Sequence, residues 1–214
     1  VPDRPPNVRI VSVSGDLLAN RGVTGGEALA LDQMSPYLPK AVMAIEDRRF
    51  YSHLGVDPVG IVRAAVTNFT AGGTVQGGST LTQQLAKNVF LTPEQTLRRK
   101  VQEAILALWL EQRFSKDQIL ELYLNEIFLG QNSFGVAAAA QTYFNKPLTE
   151  LAPHEAATLA AMPQAPGRYH PVRAKERVTE RRNYVLREMW QNGYIDEATY
   201  QSESKLPLRS VQNG

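Results

Sequence analysis

A mainly α-helical fold follows from three features of the sequence. Beyond Leu38, apolar residues recur at three- and four-residue spacing; helix-capping patterns punctuate the chain; and a single short stretch near the start reads as strand. That stretch, 8–13, is rich in β-branched residues. It is followed by the turn signal Gly15-Asp16 and by Leu17-Leu18-Ala19, which predicts a short N-terminal β-hairpin.

The helices follow in order. Ala41, Val42, Ile45 and Phe50 share one apolar face, and Pro58 sits where the first turn of a further helix begins. Residues 70–78 carry Gly72, Gly73, Gly77 and Gly78 and predict a flexible loop feeding a helix that starts near Ser79. Thr92-Pro93-Glu94-Gln95 has the form of a capping box with Pro at the first helical position, predicting a helix over 92–113, roughly 30 Å long. Ser115-Lys116-Asp117-Gln118 repeats the cap, and Ile119, Leu120, Tyr123 and Leu124 supply the apolar face behind it. Further helices are predicted over 136–143, 153–161, 174–191 and 196–203.

Composition narrows the function classes. The 214 residues, 43% hydrophobic, suffice for one substantial core. Lys+Arg 23 against Asp+Glu 21 leaves a net charge of +2, so no global charge points to nucleic acid and any anion site is local. Cysteine is absent, which removes disulfides, thiolate catalysis and Cys-ligated zinc. His53, His154 and His170 are too scattered for a metal cage. The longest strictly apolar run, 104–110, falls far short of the roughly 20 residues that span a bilayer. The arginine-rich tract from Arg168 to Arg187, interrupted by Glu176 and Glu180, reads as an exposed solvated or membrane-facing helix face. Without an initiating Met, the chain reads as a piece of a longer protein.

Four clusters hold polar groups that a packed helix does not need: Glu46-Asp47-Arg48-Arg49-Phe50, Ser79-Thr80-Leu81-Thr82-Gln83-Gln84, Arg99-Lys100 with Glu103, and Tyr123-Leu124-Asn125. Taken alone, the first is commonly a solvated face and Arg99/Glu103 an ordinary helical ion pair. The glycine loop nearly spells a nucleotide-binding P-loop, but Ser79 stands where its lysine belongs and no strand leads into it. A helix start near Ser79, with its free N–H groups and dipole, favours an anion, and Lys87 lies two turns on.

Taken in order, Glu46-Asp47-x-x-Phe50-x-x-His53-x-Gly55, Gly78-Ser79-Thr80-Leu81-Thr82-Gln83-Gln84-x-x-Lys87-Asn88, Arg99-Lys100-x-x-Glu103 and Lys116-x-x-Ile119-Leu120-x-x-Tyr123-Leu124-Asn125, with Gly135 and Tyr143-Phe144, closely resemble the successive motifs of the peptidoglycan glycosyltransferases, glycosyltransferase family 51, which includes class A penicillin-binding proteins. The resemblance implies a lysozyme-like, two-lobed helical domain whose smaller lobe leans on the membrane. It implies polymerisation of lipid II into β-1,4-linked glycan strands, with inversion at a polyprenyl-pyrophosphate-linked donor strand. Glu46 would be the general base and Glu103 the second essential acid, orienting the cations or helping to hold a divalent ion (Mg or Mn) on the pyrophosphate; the first role is the one expected, with no cofactor required. Asp47, Phe50, Ser79, Thr82, Gln83, Gln84, Lys87, Arg99, Lys100, Tyr123 and Asn125 would bind substrate or line the cleft. One departure is Gln95, where many members carry an arginine, with Arg98 nearby.

The same resemblance implies lipid II, the lipid-linked strand and the membrane surface as partners, other cell-wall synthesis proteins as further ones, and no nucleic acid. The location would be the outer face of a bacterial cytoplasmic membrane, and phosphoglycolipids such as moenomycin would inhibit. Phe69, Val89, Phe90 and Leu91 would touch lipid or pack in the core. The expected division is 1–37 as hairpin and linker, 38–203 as glycosyltransferase domain, and 204–214 as the start of a linker to a C-terminal region. A lysozyme-type lytic enzyme is the competing function, and a silent scaffold the third; Lys87, Arg99 and Lys100 argue against the lytic reading, because a sugar leaving group needs a proton rather than neutralised phosphate.

Overall fold

The computed structural model describes residues 8–11, 17–21, 29–73, 77–90, 94, 96–130, 133–163, 169–171 and 173–210. Within them the chain is mainly helical. The helices are α1 (Tyr37–Glu46), α2 (Pro58–Ala71), α3 (Leu81–Phe90), α4 (Leu97–Arg113), α5 (Lys116–Glu126), α6 (Val136–Phe144), α7 (Pro153–Ala161), α8 (Lys175–Gln191) and α9 (Glu197–Ser204). Backbone pairing joins β1 (Val8–Val11) to β2 (Leu17–Arg21) antiparallel, with Val8 opposite Arg21; the turn expected at Gly15-Asp16 lies outside the described residues.

Local chemistry explains most helix ends. Pro58 opens α2 behind Asp57, and Gly72 ends it in the left-handed conformation at φ 71°. Ser115 and Gln118 exchange reciprocal bonds at the start of α5, Ser115 N to Gln118 Oε1 at 2.9 Å and Gln118 N to Ser115 Oγ at 3.2 Å. Asp196 caps α9 by accepting from Thr199 N at 2.7 Å.

Three sequence expectations are corrected. The helix expected over 92–113 begins at Leu97, where Thr96 is the cap and accepts from Arg99 N at 3.1 Å. Its 17 residues span roughly 25 Å rather than 30 Å, and Gln95 lies outside the described residues. Residues 70 and 71 are helical rather than loop, Thr70 Oγ1 donating to Val66 O and Thr67 O at 3.0 Å. The helix expected from Ser79 starts at Leu81.

The chain forms two compact units, Val1–Ile45 with Leu124–Gly214, and Glu46–Tyr123. In the first, α7 is the core helix: Pro153 and every residue from Glu155 to Ala161 are buried, and α8 packs along it. Arg182 is the exception to the exposed arginine face expected on α8, where Arg177 and Arg187 are exposed. It is fully buried, and its Nη2 donates to Leu206 O at 2.7 Å, tying the chain beyond α9 to α8; burial lowers the basicity of this guanidinium, against the opposing charge of Glu203. Gly135, at φ 89°, must be glycine because a Cβ would stand 2.5 Å from Asn125 O.

In the second unit, α3 packs against α4. Two helix stripes there face outward: Val59, Val62, Val66 and Phe69 on α2, and Leu97, Val101, Ile105 and Leu108 on α4, with Phe69 89% and Leu97 83% exposed. Their spacing is that of a core-facing stripe. Among the described residues no helix is long and apolar enough to cross a membrane.

Candidate active site

Glu46 is the last residue of α1 and the first of the unit that carries most of the predicted site. Its carboxylate is half-buried, and Oε2 accepts from Gln84 Nε2 at 3.2 Å. The other end of the same amide, Oε1, accepts from Tyr123 Oη at 3.1 Å. Gln84 is therefore oriented from both ends: a phenol can donate and a carboxylate accept, so the amide presents its nitrogen to Glu46. Burial, and secondarily the charge of Glu46, raises the Tyr123 pKa well above its usual value, which keeps the phenol a donor.

The cations stand on α3 and α4. Lys87 is one turn beyond Gln84 on α3 and enters no ion pair among the described residues. Lys100, in the first turn of α4, reaches Ser79 Oγ at 3.3 Å and Glu103 Oε1 at 3.5 Å. Glu103 is 2% exposed while the Lys100 side chain is 55% exposed, so a buried carboxylate steers a solvent-accessible ammonium. Arg99 donates to Gln102 Oε1 at 2.6 Å and lies 3.4 Å from Glu94.

Several residues assigned to substrate from the sequence have their side chains engaged inside the fold. Asp47 is buried, and its Oδ2 accepts from His53 Nε2 at 2.6 Å and from Leu81 N at 3.0 Å. The anion expected at the start of α3 is thus the protein's own Asp47, and Gln83 N is satisfied by Thr80 Oγ1 at 3.1 Å. Gln83 itself is buried and accepts from Thr80 N at 2.9 Å. Phe50 is a core ring lying 4.7 Å beneath the Lys116 ammonium. Thr82 is fully buried and donates to Glu111 Oε1 at 2.8 Å. Asn125 belongs to the other unit, where it grips the Leu29 backbone, accepting from N at 3.0 Å and donating to O at 2.9 Å.

His53 resolves its own tautomer. Its Nδ1 faces two donors, Gly55 N at 3.0 Å and Lys116 Nζ at 3.3 Å, so the ring proton sits on Nε2 and is given to Asp47. Gly55 holds φ 112°, and a Cβ there would lie 2.8 Å from Ala107 O, so the loop beneath Asp47 is pressed against α4.

Glu111 escaped the sequence reading. It lies five residues before Lys116 across the break between α4 and α5, a spacing that no single helix brings together. Its side chain is 8% exposed and binds Lys116 Nζ at 2.7 Å. Among the described residues no three His, Asp or Glu side chains converge as a metal-binding group.

The arrangement is a carboxylate held by an amide, with Lys87 one helical turn beyond that amide on α3 and Arg99 and Lys100 on α4 in the same unit; groups of these kinds can accept a proton and stabilise a departing anion. Comparison with known proteins shows the family. Residues 15–190 match the family model described as Transglycosylase, and the chain belongs to that family. It is 48% identical over 205 residues to penicillin-binding protein 1A of Aquifex aeolicus, covering 95% of this chain and 28% of that protein. It is 48% identical over 193 residues to penicillin-binding protein 1A of Escherichia coli, covering 90% and 23%. The crystal structure of penicillin-binding protein 1A from Haemophilus influenzae superposes with a TM-score of 0.53 at 26% identity, covering 99% of this chain and 22% of that one. The chain thus spans about a quarter of the length of these relatives.

Proposed function

We propose that this domain polymerises lipid II into β-1,4-linked glycan strands by inverting transfer from a strand held on polyprenyl pyrophosphate. The observation that carries the reading is the Tyr123–Gln84–Glu46 relay, in the same unit as Lys87, Lys100 and Glu103. Glu46 takes the proton from the 4-hydroxyl of the acceptor sugar as that oxygen bonds to the donor's anomeric carbon. The bond from that carbon to the pyrophosphate breaks, and the electron pair leaves with the pyrophosphate. Lys87, Lys100 and Arg99 stabilise the negative charge that grows there. Ser79, held by Lys100, lines the phosphate side, while Asp47, Phe50, Thr82 and Gln83 support the walls.

Glu103 acts on the cations, and the reaction needs no cofactor. Were a Mg or Mn ion to accompany the pyrophosphate, Glu103, the carboxylate beside Lys100, would be the residue to hold it. The ion's chemistry would be further charge neutralisation on the leaving group.

On this reading the fold is the lysozyme-like, two-lobed one, preceded by a short hairpin within 1–37 and followed by a linker from 204. The outward apolar stripes of α2 and α4 rest on the outer face of the bacterial cytoplasmic membrane, where the lipid-linked substrates lie. Other cell-wall synthesis proteins are its further partners. The competing lytic reaction, with water in place of the sugar hydroxyl, is not favoured by the family match or by the cations. Incubating the protein with lipid II separates the outcomes: polymer is expected, and cleavage of preformed strands without polymer would overturn the assignment.

A further inference from the structure

Five side chains of the unit Glu46–Tyr123 form a closed ring. Leu81 N donates to Asp47, Asp47 accepts from His53, and His53 accepts from Lys116. Lys116 binds Glu111 Oε1, the same oxygen that accepts from Thr82 Oγ1, and Thr82 follows Leu81 in the chain. The ring is anchored at one corner beside Glu46 and at the opposite corner two residues before Gln84. The hydrogen bond between Glu46 and Gln84 therefore joins two segments whose separation the ring sets.

Glu111 closes the circuit. Without its carboxylate, Thr82 loses its acceptor and Lys116 its counter-charge, and the bonds left between the start of α3 and segment 46–55 are Leu81 N to Asp47, Gln84 to Glu46 and Thr80 Oγ1 to Gly55 O. Glu111 also lies eight residues beyond Glu103 on α4, with fully buried Ala107 midway, so one face of one helix carries both acids. The geometry points to Glu111 as a positioning residue for glycosyl transfer: acting through Thr82 and Lys116, it holds Gln84 and Lys87 in register with Glu46. This assignment rests on the proposed function. A positioning loss belongs in turnover more than in substrate affinity, because small misplacements of a base cost rate steeply.

The test measures lipid II polymerisation by wild type, Glu111→Ala, Glu111→Gln, Lys116→Gln and the double variant Glu111→Ala/Lys116→Gln, each checked by thermal melting. Expected are a kcat at least tenfold lower for Glu111→Ala with KM within threefold, recovery to within threefold of wild-type kcat for Glu111→Gln, whose amide oxygen still accepts from Thr82, and a double variant no worse than the poorer single one. A folded Glu111→Ala with kcat within twofold of wild type would overturn the assignment. So would a loss confined to KM, a Gln variant no better than Ala, or losses that multiply. Failure of the wild type itself to polymerise would instead count against the proposed function.

Discussion

Replacing Glu46 by Gln isolates the proton acceptor from its surroundings. The carboxylate is held by Gln84 Nε2 at 3.2 Å, and the oxygen of the new amide accepts the same bond at nearly the same volume. Gln84 stays oriented from its other end by Tyr123 Oη at 3.1 Å, so the relay survives while its terminal base is gone. Loss of a positioned general base lowers rate by about 10²–10⁴, which at about 1.36 kcal/mol per tenfold raises the barrier by roughly 3–5 kcal/mol. The expected result for Glu46→Gln is a fall of that size in lipid II polymerisation, with affinity for a lipid pyrophosphate unchanged and melting temperature shifted by no more than a few degrees, roughly. A second readout needs no turnover. Because the charge of Glu46 is one cause of the raised Tyr123 pKa, the phenol titrates lower in the variant than in the wild type, while burial keeps it above its usual value. Polymerisation within tenfold of wild type, in a folded variant, would refute Glu46 as the base.

Three further outcomes follow from other parts of the molecule. Lys87→Ala is expected to weaken both turnover and binding of a phosphoglycolipid inhibitor such as moenomycin about tenfold or more, since a charge-assisted phosphate contact operates in bound and reacting states alike; unchanged inhibitor affinity by calorimetry would place Lys87 outside the site. Amide exchange over 72–78, where Gly72 ends α2 and a Cβ on Gly72, Gly73 or Gly77 would meet nothing within 4 Å, is expected to slow when moenomycin binds, and equal exchange in both states would show that the inhibitor does not order this segment. The raised Tyr123 pKa makes stability alkaline-sensitive: above about pH 10 the unfolded chain releases this proton while the folded one retains it, so stability is fully present below that pH and declines as pH rises through it. Alkaline melting curves of Tyr123→Phe should decline less steeply than wild type, and parallel curves would contradict the burial of an intact phenol.

The sequence by itself determined the helical class, most helix ends and the family. Pro58, Ser115 with Gln118, and Asp196 mark helix starts through bonds made within a few residues, so their effect is legible locally. Glu46, Gln84, Lys87, Lys100 and Glu103 stand out in the sequence for another reason: their order and spacing resemble the motifs of a family whose model matches residues 15–190. Thr96 shows the limit of local reading, since 92–95 and Thr96 both offer caps and the structure starts α4 from the second.

Only the tertiary structure decided which polar residues are engaged inside the fold. Asp47 and Glu46 are neighbours of the same type. Yet Asp47 is spent on His53 and on Leu81 N, 34 residues away, while Glu46 receives Gln84. Arg182 sits in an arginine-rich tract whose pattern reads as solvated, but carbonyls 22 and 24 residues further on draw it into the core. Glu111 had no sequence signal because its partners come from α3 and from across a helix break. Burial makes each of these groups find a partner wherever the fold supplies one. That supply depends on contacts distant in sequence, which local periodicity does not encode.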